Sequence, residues 1–252
     1  MIFFRACRLA LSFLTRIPVG RMATLSDQDW RWMVAGFPLC GYLLGVAAIA
    51  VPAYGFRPAG CAPLYVLLVA CICVSVLAYL TRGLHLDGMA DMCDGLGGGF
   101  DCERRLAIMK DPTVGSFGAL GLILLLAVKT AALGVLLGEA MVWPCVAVVV
   151  LARFFLALLT GIGTYARKTG TAARTVGNVA PAALALAAVL SAPVCFLPGI
   201  PLCAAAMFGT TILLKLKADR ALGGITGDIL GANCELCETV GYVTVALQMN
   251  TV

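Results

Sequence analysis

Seven apolar segments, each about the 20 residues that a helix needs to cross a bilayer core, decide what this chain can fold into. They run at 33–54, 62–81, 117–137, 140–162, 179–197, 201–217 and 224–247. Hydrophobic residues make up 62% of the chain and charged residues 12%, against about a quarter charged in a soluble domain. Such a chain cannot cover its surface in water, so a bilayer is the solvent for much of it. Within lipid every backbone amide must be satisfied internally, which leaves helices for segments of this length. The expectation is an all-α, polytopic membrane bundle of about seven spans, forming one domain over residues 1–252. The last segment departs from the others because it carries Asp228, Glu235 and Glu238.

The loops supply an independent constraint. Arg5, Arg8, Arg16, Arg21 and Arg31 precede the first span. Arg82, Arg104, Arg105 and Lys110 follow the second, Arg167, Lys168 and Arg174 follow the fourth, and Lys215, Lys217 and Arg220 border the sixth. The alternate loops hold only Arg57, while Lys129 and Arg153 fall inside spans. Basic residues accumulate on the cytoplasmic side, so the N-terminus and these four segments are expected in the cytoplasm. The net charge of +5 is dispersed in short groups, not gathered in a stripe, which argues against nucleic acid as a partner. Met1 to Val19 is apolar with Arg5, Arg8 and Arg16 spaced along it and has no small-residue cleavage site. It reads as an amphipathic helix on the membrane surface. Cys234 and Cys237 form a C-x-x-C pair without a second pair at zinc-site spacing, so the cysteines read as small apolar packing residues.

Six of the thirteen acidic residues lie in the polar connection from Thr81 to Ser116, which reads as helix, glycine turn, helix. Asp87, Asp91 and Asp94 stand at i, i+4 and i+7 and so share one helical face. Carboxylates so placed repel one another, and a hard divalent cation such as Mg²⁺ would relieve the repulsion while keeping places for phosphate oxygens. Gly88 and Gly95 are expected to leave room for a phosphate ligand. His85, the only histidine, is a candidate base or orienter of an attacking hydroxyl. A second cluster places Lys110 and Asp111 before Pro112 at the entrance to the third span, with Lys110 suited to phosphate oxygens. In a third, Asp228, Glu235 and Glu238 share a face at membrane depth, where acids are costly and line a polar cavity or pair with cations. Lys129 and Arg153 are the expected partners, and Gly227 and Gly231 offer a small-residue face for close helix packing.

Read in order, RGLHLDGMADMCDG (82–95), MKDPTVGSFG (109–118) and GGITGDILGANCELCE (223–238) resemble the cobalamin synthase family, the adenosylcobinamide-GDP ribazoletransferases. The opening Phe13-Leu-Thr-Arg-Ile-Pro-Val19 is also similar, so the resemblance covers almost the whole chain. Arg82 stands where the family pattern has glycine, and Ile225 where it has a polar residue. The resemblance implies a Mg²⁺-dependent enzyme of the bacterial inner membrane. It would join α-ribazole, or its 5′-phosphate, to adenosylcobinamide-GDP with release of GMP. The chemistry of displacement at a diphosphate suggests a division of labour: Asp87, Asp91 and Asp94 around the metal, with Asp228, Glu235 and Glu238 completing its shell or binding amides of the corrinoid; His85 or an aspartate at the hydroxyl; Lys110, Asp111, Arg153 and Arg167 toward the diphosphate. The resemblance leaves a homo-oligomer and contacts with other cobalamin-assembly enzymes open. The acid spacing also resembles that of CDP-alcohol phosphotransferases, whose Ala-Arg continuation is absent. A secondary transporter with coupling-ion carboxylates would call for internal repeats, and a noncatalytic scaffold would not need three acids on one face.

Overall fold

Each of the seven apolar segments falls on a helix. The computed structural model describes residues 2–20, 24–167 and 169–249, and is all-helical but for one isolated bridge between Tyr165 and Ile225 among those residues. Met1, Arg21 and Lys168 lie outside the described residues. Helix α1 is Ile2–Leu14 and α2 runs from Asp27 to Phe56, α3 is Pro63–Leu80, α4 Leu84–Gly98 and α5 Cys102–Ile108. Then come α6 (Ser116–Gly138), α7 (Val142–Ile162), α8 (Pro181–Phe196), α9 (Ile200–Leu222) and α10 (Gly227–Met249). Five of these, α2, α3, α6, α7 and α9, are long and apolar enough to cross a membrane. The apolar α8 is shorter and ends in a 3₁₀ turn, and α10 carries the three acids.

The outer helices α3, α6 and α9 turn leucines and isoleucines outward, among them Leu64, Leu68, Ile123, Leu124 and Leu213, as lipid contact requires. Helix α7 is buried along most of its length. Helix α10 is the hub, packed against α4, α6, α7 and α9. The segment that carries the three acids therefore lies inside the bundle, where its carboxylates find partners.

The basic segments gather at one end. The Arg16 amide donates to Leu80 O (2.8 Å), Arg105 Nη1 to Ala221 O (3.2 Å), and the Ala180 amide to Arg31 O (3.0 Å). At the other end, the Gly60 amide donates to Gly138 O (3.2 Å) and Gln248 Nε2 to Gly199 O (3.1 Å). Helix α1 lays Ala6, Leu9, Ala10 and Leu14 against the start of α2. Arg5 on α1 pairs with Asp29 (2.7 Å).

The two departures from the family pattern have local explanations. Arg82 adopts φ 59°, a left-handed conformation that glycine takes at less cost. Its guanidinium donates to Ser12 O (2.8 Å) and Thr15 O, fastening α3 to α1. Ile225 is fully buried. Its amide donates to Thr164 O (2.7 Å), and the Ala166 amide donates to Ile225 O (3.0 Å).

Candidate active site

Helix α4 holds the first motif at the basic end of the bundle and crosses α10 at backbone contact. A Cβ on Gly88 would stand 2.6 Å from the Asp228 carbonyl oxygen, and one on Gly231 would stand 3.2 Å from His85 Cα. Gly95 is likewise filled, by the Met109 side chain. Gly88 and Gly95 thus make room for protein, not for the phosphate ligand expected from the sequence. The turn comes only at Gly99, since Gly95, Gly97 and Gly98 belong to α4.

This crossing brings the three motifs together. Asp94 reaches the N-terminus of α6, where its two oxygens accept from the Gly115 amide (2.7 Å) and the Gly118 amide (2.8 Å). A carboxylate there satisfies orphan amides and complements the helix dipole. Arg167, from the loop after α7, donates through Nη2 to Asp228 (2.9 Å) and to Met109 O (3.3 Å), tying the second motif to the third. Thr226 Oγ1 also donates to Asp228 (3.2 Å). In the second motif, Asp111 accepts from the Thr113 amide (2.9 Å) and hydroxyl (2.5 Å), holding the turn before α6. Lys110 beside it is exposed.

The remaining acids are buried deeper on α10. Glu238 pairs with both Lys129 and Arg153, and Glu235 pairs with Lys129 (2.8 Å). All four are almost fully buried. Two anions and two cations make a neutral network, as the cost of unpaired charge inside a bilayer demands at this depth. Arg153, Glu235 and Glu238 therefore face one another inside the bundle, whereas Asp87, Asp91, Asp228 and Arg167 form the group at the basic end.

That group is electrostatically short of positive charge. Burial, then the charges of Asp228 and Asp87, push the Asp91 carboxyl up to about 7 against the opposing pull of Arg167. Hard carboxylate oxygens crowded in this way suit a divalent cation. Among the described residues no three His, Cys, Asp or Glu side chains already converge as a metal cage. Mg²⁺ does not need one, since it is usually held by one or two carboxylates together with substrate phosphates. His85 is buried, and burial pushes its imidazole down to about 3. It is neutral, and its Nε2 is closed off without a hydrogen-bond partner among the described residues.

A cavity of about 360 Å³ opens between α1, α2, α4, α7 and α10, with His85, Asp87 and Asp228 in its lining. Its far wall, including Met33, Phe37, Leu156 and Thr160, was not singled out from the sequence. Those residues sit in apolar spans, where a cavity wall and ordinary core look alike. The Arg167–Asp228 pair carried only a weak signal, a loop arginine and a helix-start acid far apart in the chain.

Comparison with known proteins places the chain in a family. The family model described as cobalamin-5-phosphate synthase matches residues 6–246. A protein of Syntrophobacter fumaroxidans named adenosylcobinamide-GDP ribazoletransferase is 41% identical over 92% of this chain and 94% of its own length. Proteins with the same name from Chlorobium phaeobacteroides and Shigella dysenteriae are each 38% identical, covering 93% and 91% of this chain and 94% of their own lengths. No solved structure matches. The chain belongs to the cobalamin-5-phosphate synthase family.

Proposed function

We propose that this chain is an adenosylcobinamide-GDP ribazoletransferase. An α-ribazole hydroxyl, or that of its 5′-phosphate, attacks the corrinoid-linked phosphorus of adenosylcobinamide-GDP, and GMP departs. The observation that carries the reading is the convergence of all three motifs on Asp87, Asp91, Asp228 and Arg167 at one end of a membrane bundle. The family membership and the relatives' names support it.

One or two of Asp87, Asp91 and Asp228 would hold Mg²⁺ together with substrate phosphate oxygens, and the metal would neutralise the diphosphate and the departing GMP. Asp94, committed to the α6 amides, fixes α4 against α6 and so sets where Asp87 and Asp91 stand. Arg167, held on Asp228 and Met109 O, and the exposed Lys110, next to Met109 in the chain, are the cations for the diphosphate. The hydroxyl proton passes to a carboxylate of the aspartate group. His85, neutral and with Nε2 closed off, packs where α4 crosses α10 rather than acting on the hydroxyl. The buried Lys129–Glu235–Glu238–Arg153 network braces α6, α7 and α10 beneath the site. Because Glu235 and Glu238 are already neutralised, they give little support to a coupling-ion role in a transporter. The basic end faces the cytoplasm of the bacterial inner membrane, where its soluble substrates are made.

The test is GMP release by purified protein in detergent, given adenosylcobinamide-GDP and α-ribazole with Mg²⁺ or with a chelator. Release that requires both substrates and the metal is expected. No release with all components present would reject the assignment.

A further inference from the structure

Helix α9 changes character along one face as it nears the basic end of the bundle. Leu213, Lys217 and Arg220 stand at i, i+4 and i+7, with Leu216 beside Lys217, and so share that face. Leu213 is 70% exposed and Leu216 45%, which on a spanning helix means contact with acyl chains. With a rise of about 1.5 Å per residue, Lys217 lies about 6 Å and Arg220 about 10 Å nearer the helix end than Leu213. A headgroup layer adds about 5–8 Å to each side of the hydrocarbon, so the two cations stand at headgroup level above the leucines.

Helix α5 closes the top of this face. Arg105 donates from Nε to Gly99 O (3.0 Å) and from Nη1 to Ala221 O (3.2 Å), which fixes its guanidinium between the ends of α4 and α9. Arg105, Lys217 and Arg220, with Leu213, Leu216 and Ala221, line a cavity of about 410 Å³. Three cations meet there without an acid in the lining. Asp219, the one acid of α9, is occupied by Lys215 (2.6 Å). Lys217 and Arg220 have no ion pair among the described residues. Like charges gathered in this way repel one another until an anion joins them.

The leucines below the cations decide which anion. A soluble phosphate would gain nothing from them. The substrate diphosphate belongs with Asp87, Asp91, Asp228 and Arg167, none of which contributes to this lining. A phospholipid presents acyl chains and then a charged phosphate, in the order in which α9 presents leucines and then cations. Basic pockets between spanning helices hold such headgroups. We propose that this cavity seats the headgroup of an anionic phospholipid, its phosphate among Arg105, Lys217 and Arg220 and its acyl chains along Leu213 and Leu216. Because Arg105 also holds the end of α4, the bound lipid fastens α5 to α9 beside the helix that bears Asp87 and Asp91. The site rests on the membrane placement of the basic end given above, but not on the reaction.

The first arm of the test uses wild-type protein freed of lipid in a neutral detergent. Phosphatidylglycerol, phosphatidylcholine with the same chains, and glycerol 3-phosphate are titrated separately, with binding read by native mass spectrometry and by thermal unfolding. One tightly held phosphatidylglycerol per chain, with a raised Tm, is expected, and neither effect from the other two. Lys217→Gln combined with Arg220→Gln should weaken phosphatidylglycerol at least about tenfold. Arg31→Gln combined with Arg174→Gln removes two exposed cations outside this lining and should leave its affinity within about twofold. Equal weakening in the two double variants would reduce the effect to diffuse surface attraction and overturn the site. Glycerol 3-phosphate bound as tightly as phosphatidylglycerol would overturn the lipid as occupant. In lipid-free detergent the Lys217→Gln, Arg220→Gln protein should keep the wild-type KM for adenosylcobinamide-GDP, and a raised KM would give these cations to the substrate and overturn the proposal. Lipid binding is read without turnover, so failure of the GMP-release assay would reject the transferase reading and leave the lipid result standing.

Discussion

Replacing Gly88 with alanine tests whether the α4–α10 crossing positions the site. The added methyl would meet the Asp228 carbonyl oxygen at 2.6 Å and its Cα at 3.0 Å, and both are backbone atoms that cannot rotate away. Ordinary contact begins near 3.4 Å, so α4 must withdraw by about 0.8 Å, the difference from 2.6 Å. Overpacking of this kind costs about 1–3 kcal/mol, which a bundle of this size can survive. The catalytic consequence is larger, because Asp87 and Asp91 ride on α4 and Asp228 on α10. A misplacement near 1 Å between reacting groups costs about 10²-fold in rate. Gly88→Ala should therefore remain folded in detergent, by size-exclusion chromatography and thermal unfolding, while GMP release falls by about two orders of magnitude. Gly209→Ala is the control, since nothing lies within 4 Å of a Cβ there, and it should keep full activity. Undiminished turnover by folded Gly88→Ala would refute the argument that this contact sets the geometry.

Other perturbations separate bracing from chemistry. Asp94→Ala removes the acceptor for two α6 amides and should lower stability by about 1–2 kcal/mol, while the Mg²⁺ concentration for half-maximal rate rises as Asp87 and Asp91 lose their fixed position. Lys129→Met leaves Glu235 and Glu238 sharing one cation and should cost about 3–5 kcal/mol by unfolding in detergent. Adding Glu235→Gln should recover much of that loss. With Asp91 raised to about 7 against an unfolded value of about 3.9, the folded metal-free protein binds more protons than the unfolded chain between these values. Its stability should fall as pH rises through that window, and thermal unfolding in chelator should lose this slope in Asp91→Asn.

Much of the architecture was legible in hydropathy and loop charge, because a bilayer admits few solutions. Every apolar segment from 33–54 to 224–247 lies on a helix, and the basic loops gather at one end. The pairing of Glu235 and Glu238 with Lys129 and Arg153 was also legible, since unpartnered charges inside spans are untenable, whereas Asp228, expected to share those partners, pairs with Arg167 instead. Other features were not. Asp94 shares a helical face with Asp87 and Asp91, but periodicity does not show that the α6 N-terminus arrives there with two free amides. Arg153 and Arg167 were equal candidates for the diphosphate, and only tertiary packing puts one in the buried network and the other on Asp228. Gly88 and Gly95 announced close approach without saying to what. The cavity wall of Met33, Phe37 and Thr160 comes from two spans whose composition suits lipid, core or ligand alike.

The most direct measurement is the Mg²⁺ dependence of GMP release by Asp91→Asn, with membrane insertion and folding verified. Loss of one carboxylate from the group at the α4–α10 crossing should abolish turnover at Mg²⁺ concentrations that saturate the wild type. A folded Asp91→Asn protein that releases GMP at the wild-type rate, with the same metal requirement, would contradict the account.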